Sequence, residues 1–124
     1  MRKFNKKTAK GSWIPFPDDE EVQLKIRPFS LFNLTKIPTE EGMDFDQFWT
    51  IFNYSVLEWK GIQDSNGEPL KCDEENKKIV FDYDQPVVLF AVEQSTKLRD
   101  EVITEKEVKN LQTSQPGETP KQEK

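Results

Sequence analysis

Between Met43 and Trp59 the chain reads MDFDQFWTIFNYSVLEW, and this run limits the fold more than any other stretch. Asp44 stands where a helix N-cap belongs, with Gln47 three residues later in capping-box register. Met43 and Phe48 take the positions of a hydrophobic staple. Phe45, Phe48, Trp49, Phe52, Val56 and Trp59 then fall on one stripe at helical spacing, which predicts a helix over about 45–60. Ile51 and Tyr54 lie off the stripe, so the apolar face is wide. A wide face is buried between two layers, or serves the core on one side and a partner on the other. Core alone is the favoured reading.

The stripe matters because apolar material is scarce elsewhere. Only 34% of the 124 residues are hydrophobic and 33% are charged, so any core is small. Nine Phe, three Trp and two Tyr supply much of it, and a buried aromatic removes more area from water than an aliphatic does. Upstream, Trp13, Ile14 and Phe16 form one apolar run, and Val22, Leu24 and Ile26 alternate with Gln23, Lys25 and Arg27. That alternation predicts a β-hairpin over about 13–29. Pro15 and Pro17 confine its first strand to a sheet edge. Asp18, Asp19, Glu20 and Glu21 sit in the turn; cation binding needs spaced ligands converging on a point, so a solvated turn is the better reading. Ser30 can cap a short helical turn through Leu31, Phe32 and Leu34, and Pro38–Gly42 is a connector.

Downstream of the stripe, Gly61 suits the residue after a helix end, and Asp64-Ser65-Asn66-Gly67 is a turn signal. Asp73 or Cys72 opens a helix over about 73–81, with Glu74 and Glu75 complementing its dipole. A last helix spans about 86–112, with Pro86 tolerated in its first turn after Asp84. A capping box and staple at Ile103–Val108 mark a place where it can break and restart. Its second half has a thin apolar stripe, so residues 95–112 are expected to gain order by docking on a partner or a second copy. The resulting fold class is α+β, with a small N-terminal β-hairpin or sheet followed by a helical C-terminal half. Residues 11–112 form its single domain.

Charge separates the ends from this body. Arg2, Lys3, Lys6, Lys7 and Lys10 put five positive charges in the first ten residues, read as a flexible basic arm. Residues 113–124 contain no apolar side chain and read as a disordered tail. The body carries 21 acids against 11 bases, which disfavours nucleic acid as a partner. The basic residues near Met1 have no apolar stretch behind them, and no apolar run approaches a membrane span of about 20 residues. With one cysteine, Cys72, the expectation is a soluble intracellular protein without a disulfide framework or membrane contact.

Catalytic chemistry has little to work with. The absence of histidine removes the usual general base and the commonest metal ligand. Cys72 without a histidine partner is a poor nucleophile, and Gly61 and Gly67 lack the Gly-Lys-Ser/Thr of a phosphate loop. The expectation is a non-enzymatic protein with no cofactor, metal or catalytic residues.

The block from Tyr54 to Lys77, YSVLEWKGIQDSNGEPLKCDEENK, resembles tail assembly chaperones of long-tailed, siphovirus-type bacteriophages. The matching positions are Trp59, Gly61, Ile62, Gly67, Leu70, Glu75 and Asn76, within a looser likeness over residues 10–95. Cys72-Asp73 departs from the family pattern of Ser or Thr followed by Pro. The resemblance implies a chaperone that binds and solubilises the tape measure protein during tail morphogenesis, with the major tail protein as a second partner and a ring or spiral homo-oligomer as its assembly. It also implies residence in the host cell cytoplasm and absence from the mature virion. Phe48, Ile51, Phe52, Val87, Val88 and Phe90 are the candidate partner-binding residues, each equally suited to a core. The alternatives are a minor tail or virion structural protein, a generic protein-interaction module, or an acidic DNA-mimicking inhibitor.

Overall fold

The alternating segment around Leu24 forms the middle of a sheet, as seen in a computed structural model that describes residues 1–33 and 42–105. Strand β2 (Ser12–Pro15) pairs antiparallel with β3 (Gln23–Ile26), placing Ile14 opposite Leu24. The turn between them is closed by Phe16 N–H to Val22 O at 2.9 Å and Val22 N–H to Asp19 O at 3.0 Å. Its four acids are exposed, and Asp19 Oδ1 accepts from the Glu21 N–H. Pro15 lies on the edge strand, where a missing N–H costs nothing, and Pro17 falls in the turn beyond it.

The other edge of β3 corrects the expected helix over 45–60. Helix α2 (Phe45–Ser55) stops at Ser55, and β4 (Val56–Lys60) pairs antiparallel with β3. Leu24 faces Trp59 and Ile26 faces Val56, with a register irregularity at Lys25/Ile26. A helix through Trp59 would leave the buried β3 unpaired along one side, and buried backbone groups need partners. Two strands alone are also marginal in water. Tertiary pairing therefore overrides the helical spacing, and Trp59 is a strand residue rather than the end of a helical stripe.

The helix starts follow local chemistry. Asp44 Oδ1 accepts from Gln47 N–H and Gln47 Oε1 from Asp44 N–H, both at 2.9 Å. Asp73 caps α3 (Glu74–Tyr83) by accepting from Asn76 N–H at 2.9 Å. Asp84 caps α4 (Gln85–Val102), which carries Pro86 in its first turn. Ser30 Oγ accepts from Phe32 N–H at the start of a 3-10 turn, Leu31–Asn33. Helix α3 runs two residues past the expected 81, while α4 ends at Val102 and gives way to strand β5 (Ile103–Glu105). The expected helix over 106–112, the tail 113–124 and most of the connector at 38–42 lie outside the described residues.

Residues 1–10 correct a second expectation. Instead of a flexible arm, β1 (Lys3–Phe4) pairs antiparallel with β5, and α1 (Lys6–Lys10) packs against α4. Asn5 caps α1 through Thr8 N–H at 3.0 Å and donates its own N–H to Val102 O at 2.6 Å. The ordering contacts come from the far end of α4, so a local reading of a lysine-rich segment had no sign of them.

The fold is thus α+β, a three-stranded antiparallel sheet (order β2-β3-β4) with a mainly helical C-terminal half. Leu24, Ile26 and Val56 from the sheet meet Ile51 and Phe52 of α2 and Ala91 of α4, all fully buried. Two serines sit in this core. Ser95 donates to Arg27 O at 3.0 Å, which leaves the Ser55 hydroxyl as donor to Ser95 Oγ at 2.7 Å. Ser95 and Leu98 are buried within the chain itself, so α4 through Val102 is not waiting for a partner to order it.

Gly61 follows β4 rather than a helix, at φ 82°, and a Cβ there would lie 2.0 Å from Glu21 O. Gly67 has a similar φ of 85° with nothing within 4 Å. Gly61→Ala should therefore cost clearly more than the roughly 1–2 kcal/mol expected of Gly67→Ala from backbone conformation alone, read from urea denaturation midpoints. In the same assay Ser95→Ala should lose about 1–3 kcal/mol, because Arg27 O is left buried without its donor.

Candidate functional site

Helices α3 and α4 are joined through Asp84 alone, which caps the end of one by donating to Val80 O at 2.8 Å and the start of the next. This tight joint sets Phe81 between α2 and α4. Four rings gather there: Phe81 lies 5.3 Å from Phe45 at 79°, 5.2 Å from Trp49 at 73° and 5.8 Å from Phe52. Edge-to-face packing at these distances adds stability beyond burial. Phe52 closes the cluster inside, but Phe45 remains 69% exposed at its outer rim.

The rim belongs to an apolar groove. One part is lined by Phe45, Phe48, Phe81, Val88 and Leu89, and the adjoining part by Met43, Phe48, Leu89 and Val92, so Phe48 and Leu89 are common to both. Leu89 is 47% exposed. A contiguous apolar depression with polar residues at its margin, here Asp82, Gln85, Glu93, Thr96 and Lys97, is the form taken by surfaces that bind other proteins. It is open to solvent rather than an enclosed cavity.

The six expected partner-binding residues separate here. Phe48 lines the groove, and Val88 is buried in its floor. Ile51, Phe52 and Val87 are core residues that a partner cannot reach in the folded chain. Phe90 packs edge-to-face on Phe16, 5.3 Å away, and takes no part in the groove. Phe45, Met43 and Leu89 were missed. Phe45 and Met43 belong to the stripe and the staple, but periodicity does not tell which end of an apolar stripe stays uncovered.

The family-like block forms a unit of its own. Trp59 Nε1 donates to Leu70 O at 2.7 Å, and Leu70 N–H to Ile62 O at 2.9 Å. Asp64 Oδ1 accepts from the N–H groups of Asn66 and Glu68, tightening the turn at Gly67. Asn76 donates from Nδ2 to Lys71 O at 2.8 Å, and Glu75 lies exposed in the first turn of α3. These bonds lock a loop against the end of β4. None of the seven matched residues lines the groove.

Among the described residues, no group of three His, Cys, Asp or Glu side chains is placed to hold a metal ion, and no helix is long and apolar enough to cross a membrane. Lys77 donates to Asn53 O at 2.8 Å, and burial holds its ammonium below the ordinary lysine range. Burial also pushes the Cys72 thiol up to about 11, with Lys77 partly offsetting the rise and Glu58 and Asp73 adding to it. A neutral thiol is a weak nucleophile. Iodoacetamide should therefore label Cys72 at pH 8 roughly 100-fold more slowly than the same cysteine in urea, followed by mass spectrometry. The rate should climb as pH approaches 11.

Compared with family models, characterised proteins and solved structures, the chain has no match.

Proposed function

We propose that this chain is a non-enzymatic tail assembly chaperone of a long-tailed bacteriophage, binding and solubilising the tape measure protein during tail morphogenesis. The observation that carries the reading is the exposed aromatic groove of Phe45, Phe48 and Leu89. A small chain with few aliphatics leaves large apolar side chains in water where a partner covers them. The likeness of the Tyr54–Lys77 block to the chaperone family gives that partner its identity. A tape measure protein presents long apolar helices, and such helices fit a groove between helices as rows of side chains at i, i+3, i+4 and i+7. The acidic body, with 21 acids against 11 bases over residues 11–112, keeps a complex with an apolar client in solution.

In this proposal the protein acts in the host cytoplasm and leaves before the virion is complete. Copies of the chain assemble along the client, where repetition multiplies weak contacts. The major tail protein takes over as the tube forms.

Affinity capture from infected cells should recover the tape measure protein, and purified particles should lack this chain. Recovery of the chain in stoichiometric amounts from purified particles would make it a virion component instead. Phe45→Ser combined with Leu89→Ser should abolish client solubilisation on co-expression. Folding stability should fall by only about 2–3 kcal/mol, since Phe45 is mostly and Leu89 about half exposed, part of the loss being the Phe45–Phe81 ring contact.

A further inference from the structure

We propose a second binding site, for an acidic peptide segment that carries a large apolar side chain, between α1, the turn after β3 and the end of α4. It shares no lining residue with the groove described above. Arg99 forms one wall. Its Nη1 donates to Phe29 O at 2.8 Å, and its guanidinium lies 4.6 Å from the centroid of the buried Phe29 ring. The carbonyl and the ring fix the orientation of the fork, while most of its five N–H donors remain available. Among the described residues no carboxylate pairs with it, although Asp100 and Glu101 follow it on α4. An oriented guanidinium with spare donors suits bidentate recognition of a carboxylate.

The remaining walls are mostly apolar, with Ser30 and Tyr54 as their polar members. Leu31 is 45% exposed and Phe32 fully exposed, and Val102 at the end of α4 and Ile103 after it also line the site. The Phe32 backbone is held by its N–H bond to Ser30 Oγ, so its ring stands in water on a defined turn. The site thus offers an apolar lip beside a cation, which fits a peptide with an apolar side chain next to an acid.

Charge around the site selects the same ligand. Ala9 lines the pocket, and Lys6, three residues earlier on α1, shares its face. Lys6, Lys7 and Lys10 are exposed and make no ion pair among the described residues. Positive charge is concentrated at this corner of a chain whose residues 11–112 are strongly acidic. That asymmetry steers a carboxylate-bearing segment to α1. A nucleic acid strand needs an extended basic track, and here it would run from a few lysines onto an acidic body. The short basic cluster and the single oriented fork favour the peptide.

The test is fluorescence polarisation with the full chain and labelled peptides, Glu-Asp-Leu-Phe-Asp-Glu against Lys-Lys-Leu-Phe-Lys-Lys, with a labelled uridine oligonucleotide in parallel. The acidic peptide should bind best, more weakly as salt rises. Phe32→Ala and the pair Lys6→Glu with Lys10→Glu should each raise its Kd roughly fivefold or more. Arg99→Gln should do the same, but it also removes a bond to the turn. The exposed Phe32 and lysine variants therefore decide the matter without risk to the fold. Phe45→Ser, in the other groove, should leave this Kd unchanged whatever becomes of the chaperone reading. Equal binding of the two peptides, tighter binding of the oligonucleotide, or a Kd untouched by the Phe32 and lysine variants would each overturn the proposal.

Discussion

Arg27 stands where the sheet meets the helices, and the arrangement of everything else depends on its bonds. Its N–H donates to Ser55 O at 2.9 Å, its carbonyl accepts from Ser95, and its Nε donates to Tyr54 O at 2.8 Å. Its guanidinium also lies 3.6 Å from the centroid of the Tyr54 ring. One residue after β3 therefore fixes both the last turn of α2 and the middle of α4. The helix-to-strand switch between Ser55 and Val56 has no glycine or proline to mark it. A switch of that kind leaves backbone groups without helical partners inside a packed region, and they must be satisfied from elsewhere. Arg27 does this at Tyr54 O and Ser55 O and Lys77 at Asn53 O, while the two buried serines in turn satisfy the Arg27 carbonyl.

What the sequence made legible was local. The starts of α2, α3 and α4 could be read because Asp44, Asp73 and Asp84 act within four residues of their targets. The hairpin could be read because Val22, Leu24 and Ile26 alternate beside a polar turn. Val56 and Trp59 misled because a spacing of three fits a helical stripe and also fits a strand with a register irregularity. Pairing with β3 decided between them. The ordering of residues 1–10 was hidden because its determinants are a backbone carbonyl at Val102 and a strand at 103–105. Of the groove, Phe48 and Val88 were legible, whereas the exposure of Phe45 and Leu89 depends on how α2, α3 and α4 pack.

The aromatic content thus divides into two roles. Phe52, Trp59 and Phe29 are buried and replace a larger aliphatic core. Phe45 and Phe32 stand in water at two separate depressions, one apolar with a mixed polar margin and one beside a cluster of cations. Burying the first set allows the second to be displayed, since a chain this poor in aliphatics would otherwise need every ring inside. The family-like block serves the first role: its hydrogen bonds fasten a loop to β4 and keep Trp59 in place.

The pairing of β1 with β5 joins residues about 100 positions apart, the most distant pair of strands among the described residues. Closing so long a loop brings little reward until the intervening elements have already condensed, so this two-stranded ribbon belongs to the late steps of folding. Strand β1 is two residues long and exposed, so the ribbon is expected to open early when the native state fluctuates. Lys3 to Gly11 are consequently expected to form a separate cooperative unit. It should detach while the three-stranded sheet and its helices stay intact, so hydrogen exchange at α1 should report a lower free energy than exchange at Leu24.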